Sequence, residues 1–290
     1  MISDKQYTDL GCEFGVTLGK SDDTELFEYE QDGFRVQKLE IKSDNAAKKI
    51  GKAVGHYANI FIDDISNVSR KQMKTARELL SKIIIEYCSH IGYLGGKVLV
   101  CGLGNRFLTP DSLGSKCCDF LTVTGHIAEN NPDLFNTLCH AEIYAVSPGT
   151  TAQTGMECAD ILRSVTNFLK PEIVICIDSL AAKNPERLAA TVQISTVGLA
   201  PGSGVGNRQG AIDKNTLGIP VLSVGVPTVC NSDTLVYDAL EKSSLSEYSE
   251  KILSKMNSRG MVVSPGDCDI SIDIFARLIA HSIDSAFDFG

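Results

Sequence analysis

KVLVCGLGNRFLTPDSLGSK (97–116) and IVICIDSLAAKNPER (173–187) carry the pattern that decides the fold. Each opens with a compact apolar run that stops at a glycine or an aspartate. A run of four to eight apolar residues with such a stop reads as a strand buried on both faces, the kind that helices cover in a parallel sheet. The same pattern recurs on either side. EIYAV (142–146), TVQIST (191–196) and PVLSVGV (220–226) read as further strands, and FRVQKLEIK (34–42) and HYANIFID (56–63) as half-buried ones. Between them lie helical spacings. Met73, Ala76, Leu80, Ile83, Ile84 and Tyr87 mark a helix from about Ser69 to about His90. Thr154 and Glu157 form a capping box for a helix running to about Lys170. Pro185 fits the first turn of a short helix through Ala190, and residues 270–287 show a broad apolar helical face. Strand and helix in alternation predict an α/β fold: three layers, α/β/α, around a mostly parallel sheet. No Pro-, Gly- or Ser-rich linker divides the chain, so one domain with loop insertions is expected.

Bulk properties narrow the function. The chain has 290 residues, 43% hydrophobic and 22% charged, with a net charge of −9. That balance excludes a protein that tracks phosphates with a basic stripe. The densest basic cluster, Lys48 and Lys49 with Lys52 nearby, reads as a solvated helix face. Ten cysteines show no CxxC spacing, and Cys101 and Cys176 sit inside apolar runs. Buried reduced thiols are therefore expected, in a cytoplasmic setting. The first residues, MISDKQYTDL, lack the apolar segment of a signal peptide, and no run is long enough to span a membrane.

In open α/β sheets, chemistry gathers beyond the carboxyl ends of the strands. Three segments fall there: 102–116, 177–187 and 197–210. Asp178 ends an apolar strand, and Asp111 follows Pro110 in a glycine-flanked loop. Each has a plain alternative as a helix or turn cap. Taken together they gain meaning. Two carboxylates at one sheet edge cannot both ionise cheaply, so one takes up a proton and the other does not. Such a pair supplies a base to activate water and an acid to protonate a leaving amine. GSGVGN (202–207) lacks the Lys-Ser/Thr of a phosphate loop and reads as tight turns, a wall for substrate. No cofactor motif is found. The five histidines are dispersed, without HExxH. His126 reads as an ordinary partly buried histidine, with Asp111, Asp178 and His126 left open as a metal set.

CGLGNRFLTPDSLGSK (101–116), ECADILRSVTNFLKPEIVICIDSLAAKNPERLAATVQIS (157–195), GLAPGSGVGNRQG (198–210) and TLGIPVLSVGVPTV (216–229) closely resemble the germination protease family. The dense match spans about residues 97–230. It extends more weakly to YTDLGCEF (7–14), FRVQKLEI (34–41), IGKAVGHY (50–57) and residues 261–287. The resemblance implies an endopeptidase that degrades small acid-soluble spore proteins during germination, inside the spore. It implies an atypical aspartic-type mechanism with Asp111 and Asp178 as the catalytic pair, no cofactor, and a sheet like that of hydrogenase-maturation proteases. It also implies a homotetrameric zymogen that removes a short propeptide. The processing element matches Thr8-Asp9-Leu10, with Glu13 downstream, so self-cleavage between Asp9 and Leu10 is expected. Residues 1–9 would then be the propeptide and 10–290 the peptidase domain. A short 228–260 segment and a propeptide of only nine residues depart from the family pattern. Two other readings stay open: a metal-dependent maturation protease on the same fold, and a catalytically inactive binding relative.

Overall fold

The computed structural model describes residues 8–15, 23–139, 141–201, 210–256 and 260–287. Its centre is one sheet whose strands are β1 (Thr24–Gln31), β2 (Phe34–Ile41), β3 (Gly55–Phe61), β4 (Val98–Gly102), β5 (Ile143–Val146), β6 (Ile173–Ala181), β7 (Thr191–Ser195), β8 (Val221–Asn231) and β9 (Val262–Val263). They lie in the order β1-β2-β3-β7-β8-β6-β4-β5, with β9 added along the end of β8.

Helices cover both faces, as the α/β reading expects. On one face, Val98, Val100, Ile173, Ile175, Leu222 and Val224 pack against the helices Arg70–His90, Leu113–Phe120 and Cys268–Phe287. Ser69 and Gln72 close a capping box at the start of the first of these, and its apolar stripe from Ala76 to Tyr87 lies at the spacing one buried helix face requires. On the other face, Leu99, Cys101, Val174 and Cys176 pack against Cys158–Leu169. The alternating side chains of β4 and β6 thus feed two cores, which is why both strands read as unbroken apolar runs.

The sheet is mixed. β5, β4, β6 and β8 are parallel, so the expectation of a mostly parallel sheet holds for that half. β8, β7, β3, β2 and β1 pair antiparallel in succession. The connection 182–190 between β6 and β7 is too short to carry a covering helix, and a parallel crossover needs a dozen residues or more. The turn from β1 to β2 is Asp32-Gly33, both at positive φ (54° and 84°), the backbone a tight hairpin demands.

Two local expectations change. The capping box lies at Thr150 and Gln153, opening the four-residue helix Thr151–Thr154. Gly155, in left-handed backbone, ends that helix, and Cys158–Leu169 starts anew behind Glu157, which makes no side-chain cap bond. After Pro185 there is only a 3-10 turn, Pro185–Arg187. The chain then leaves helical geometry, and the Ala189 N–H donates to the Pro227 carbonyl at 2.7 Å. All ten cysteines are free thiols, eight buried and two half-buried. Among the described residues, no helix is long and apolar enough to cross a membrane.

Candidate active site

The face of the sheet that carries Leu99, Cys101, Val174 and Cys176 turns polar towards the carboxyl ends of β6 and β8. In register across the strands come Asp178 on β6, Gly225 on β8, Gln193 on β7, Asn59 on β3 and Gln37 on β2. Here the helical layer stops and a cavity of about 630 Å³ opens, lined by Asp9, Asp111, Asp178, Gln193 and Lys52 among others. The two aspartates read from the sequence therefore share one cleft.

Asp178 does not end its strand. β6 continues to Ala181 because β8 runs beside it as far as Val229. The Asp178 side chain is buried rather than projecting from an edge, with 7% exposure. Its Oδ1 accepts the Ser179 N–H at 2.9 Å. Burial pushes its carboxyl well above the usual carboxylate range, and the charges of Asp111 and Asp9 push it further. Asp111 sits in the 3-10 turn Thr109–Asp111. Its Oδ2 accepts the Asn105 N–H at 2.8 Å, while the following helix takes no side-chain cap from it. Burial also raises its carboxyl, with the Asn105 bond acting in the opposite direction. Neither aspartate is a helix cap.

Two features hold the loop of Asp111 over the strand ends. Thr228 Oγ1 donates to the Pro110 carbonyl at 2.6 Å. Gly104, at φ +93°, lies beneath Asp111 so closely that a Cβ there would stand 2.2 Å from the Asp111 carbonyl oxygen. Cys158 borders the same cavity, but burial first and the charge of Asp178 second push its thiol up to about 11. It is a neutral thiol that donates to the Gly149 carbonyl, not a thiolate nucleophile.

The N-terminal segment runs through this cleft. The Asp9 N–H donates to the Ala181 carbonyl, and the Ala181 N–H donates to Asp9 Oδ2, both at 2.8 Å. Leu10 is fully buried against Phe61, Leu180, Ala182 and Leu188. Gln193 grips the backbone: its Oε1 accepts the Gly11 N–H at 2.6 Å and its Nε2 donates to the Asp9 carbonyl at 3.1 Å. Lys52 Nζ donates to the Thr8 carbonyl at 2.8 Å. Glu13 accepts the N–H groups of Lys183 (2.8 Å) and Asn184 (2.6 Å). From Thr8 to Glu13 the chain is seated, not loose.

His126 is exposed on the helix Gly125–Asn130 and lines no part of the cleft, so the set Asp111, Asp178 and His126 is not assembled. Among the described residues, no group of three or more His, Cys, Asp or Glu is placed to hold a metal ion. The GSGVGN segment lies outside the described residues. Lys48 and Lys49 are exposed, as a solvated helix face requires, whereas Lys52 is half-buried in the cleft. Sequence reasoning passed over Gln193. Its one signal was a long polar side chain between Val192 and Ile194, inside a strand with no exposed position.

A family model described as germination protease matches residues 16–243. A germination protease of Caldanaerobacter subterraneus subsp. tengcongensis is 34% identical over 90% of this chain and 86% of its own length. One from Clostridium tetani is 30% identical over 92% of this chain and 89% of its own length. Among solved structures, a NiFe hydrogenase maturation protease, HycI from Thermococcus kodakarensis, matches 59% of this chain and 97% of its own at 14% identity. Its TM-score of 0.27 is too low to carry an argument.

Proposed function

The chain belongs to the germination protease family, and from that premise we propose that it is an endopeptidase in which Asp111 and Asp178 hydrolyse peptide bonds between an acidic and a large apolar residue. The observation that carries this reading is the seating of Thr8-Asp9-Leu10 in the cleft that holds both carboxylates. The segment lies there as a substrate would: it pairs with the end of β6, buries its leucine and exchanges bonds with the cleft walls.

The environments of the two carboxylates support different roles for them. Asp178 is the more deeply buried and is raised further, so it keeps the proton that the pair shares. Asp111, better solvated and holding the Asn105 N–H, is the ionised partner. In the reaction, Asp111 takes a proton from water as the water oxygen bonds to the scissile carbonyl carbon. Asp178 gives its proton to the leaving nitrogen as the C–N bond breaks. The products are a new carboxyl terminus and a new amine, and the proton on Asp111 returns to the pair.

The substrates are small acid-soluble spore proteins, and the enzyme is made as a zymogen in the spore interior that cleaves itself between Asp9 and Leu10. Residues 1–9 form the propeptide and 10–290 the peptidase domain, assembled as a homotetramer. The cleft that holds the processing segment is the cleft that reads substrate, so processing and digestion share one recognition chemistry. The test is incubation of the purified protein with a small acid-soluble spore protein from pH 5 to 8, with and without EDTA. Cleavage after acidic residues that EDTA leaves unchanged supports this reading. Cleavage abolished by EDTA moves the chemistry to a metal, and no cleavage at any pH, even without residues 1–9, overturns it.

A further inference from the structure

Gln193 lies two strands from Asp178 with only Gly225 between them, all three in register. Neighbouring strands stand about 4.8 Å apart, which places the Gln193 backbone roughly 10 Å from that of Asp178 on the same face. Gly225 adds no side chain to the lane between them, and the Leu180 side chain lies over it. A Cβ on Gly225 would come within 2.6 Å of Leu180 Cγ, part of the wall around Leu10.

The Gln193 carboxamide meets the backbone of the N-terminal segment. A carboxamide has one donating and one accepting end, so its two bonds fix its orientation. The accepting end holds the Gly11 N–H, and the donating end holds the carbonyl oxygen of Asp9. That oxygen belongs to the Asp9–Leu10 peptide bond. The Leu10 N–H of the same bond turns to Thr8 Oγ1 at 3.0 Å. When water adds to this carbonyl carbon, the π electrons of the C=O bond move onto the oxygen that Nε2 already holds. The residue is buried, with 7% exposure, where a fixed donor dipole acts more strongly than in water. Its strand is paired on both sides, with β3 and β8, and it is the side chain that makes this contact.

We propose that Gln193 is a catalytic residue of this site: its Nε2 stabilises the oxyanion that forms at the scissile carbonyl, and its Oε1 fixes the peptide one residue downstream. The proposal rests on the reading that Asp9–Leu10 is a bond the site cleaves. As the tetrahedral species collapses, the electron pair on that oxygen re-forms the carbonyl. The C–N pair leaves with the Leu10 nitrogen, which takes the proton from the carboxyl pair.

The test follows self-cleavage of the full chain by intact mass, in the wild type and in Gln193→Glu, Gln193→Met and Asp178→Asn. Labelling of Cys12, which is 4% exposed in the seated segment, reports in parallel whether the segment stays docked. Gln193→Glu keeps the acceptor for Gly11 but loses the donor whenever it is ionised. The expected result near pH 7.5 is a rate about 10²–10³-fold below wild type, the range for losing one oxyanion donor, with Cys12 still protected. As the pH falls towards 5 and the new carboxyl takes up a proton, the deficit narrows, while Gln193→Met, which cannot donate, stays slow throughout. Rates within threefold of wild type in both variants overturn the proposal, as does a loss that only tracks Cys12 exposure. If the wild type cleaves, Asp178→Asn does not and the Gln193 variants match the wild type, Gln193 alone is misassigned. If the wild type never cleaves after Asp9, the underlying reading falls with it.

Discussion

The parallel and antiparallel halves of this sheet contribute differently to one cleft. The parallel half, β5-β4-β6-β8, supplies the acids: Asp178 from within β6 and Asp111 from the loop after β4. The antiparallel half supplies the grip: Gln193 from β7, and Lys52 from the turn that leads into β3. In the parallel half, helices on both faces make the strands apolar until the point where chemistry begins. In the antiparallel half, β7 and β3 place Gln193 and Asn59 on the face met by the chain's own N-terminal segment, with its four-residue helix Cys12–Gly15. The two carboxylates proposed to react thus stand where an apolar core ends, whereas the groups that hold the N-terminal segment come from one strand and one turn of the antiparallel half.

That division can be broken by substitutions on each side. Asp111→Asn and Asp178→Asn are expected to reduce cleavage of a peptide containing Thr-Asp-Leu-Gly-Cys-Glu by about 10²–10⁴-fold in kcat, the contribution of a positioned acid or base. A loss confined to KM would move both residues into the gripping half. Gly104→Ala forces a side chain against the Asp111 carbonyl at positive φ. Such strain costs about 1–3 kcal/mol, and a shift of Asp111 by an ångström costs about 10²-fold in rate, readable as a lower Tm and a lower kcat. Normal kcat in that variant would show that the loop's position is not critical.

On the gripping side, Lys52→Met removes a charged donor from the Thr8 carbonyl, near the charges of Asp9 and Glu13. A hydrogen bond of that kind is worth about 1.5–3 kcal/mol, so KM is expected to rise tenfold or more with kcat changed less. An equal fall in kcat would place Lys52 with the reacting groups. Asp178→Asn carries a further, smaller signature in stability. Asp178 has its folded pKa raised, chiefly by burial. Its contribution is fully present below the carboxyl's unfolded pKa and is lost as pH rises through the folded one. The asparagine has no such loss. The variant is therefore expected to gain stability over wild type from pH 4 towards neutrality, by about 1–3 kcal/mol, the order of one buried polar group's desolvation. Equal pH dependence of Tm in the two proteins would contradict the buried, protonated acid. His126→Ala, exposed and outside the cleft, is expected to leave kcat and KM unchanged.

The same contrast explains what could be read in advance. KVLVC and IVICID announce buried strands because both of their faces are core, and their stops announce the loop of Asp111 and the position of Asp178. β1 is illegible by hydrophobic pattern because it is an edge strand with only its first residue buried, yet Asp32-Gly33 offers a hairpin signal. The pairing direction of β7 depends on the short 182–190 connection, not on its own residues. Lys52 resembled Lys48 and Lys49 in sequence, and only the fold turns it towards Thr8. Gln193 is set apart by register with Gly225 and Asp178, which no local pattern encodes. The family resemblance pointed to Asp111, Asp178 and the Asp9–Leu10 bond, but not to what holds that bond.

The most direct test of the central claim is cleavage of the Thr-Asp-Leu-Gly-Cys-Glu peptide in ¹⁸O-labelled water by wild type, Asp111→Asn and Asp178→Asn, read by mass spectrometry. Wild type is expected to cut between aspartate and leucine and to place one labelled oxygen in the new carboxyl terminus, with both variants nearly silent. Cleavage at that bond by either variant at close to the wild-type rate would contradict it.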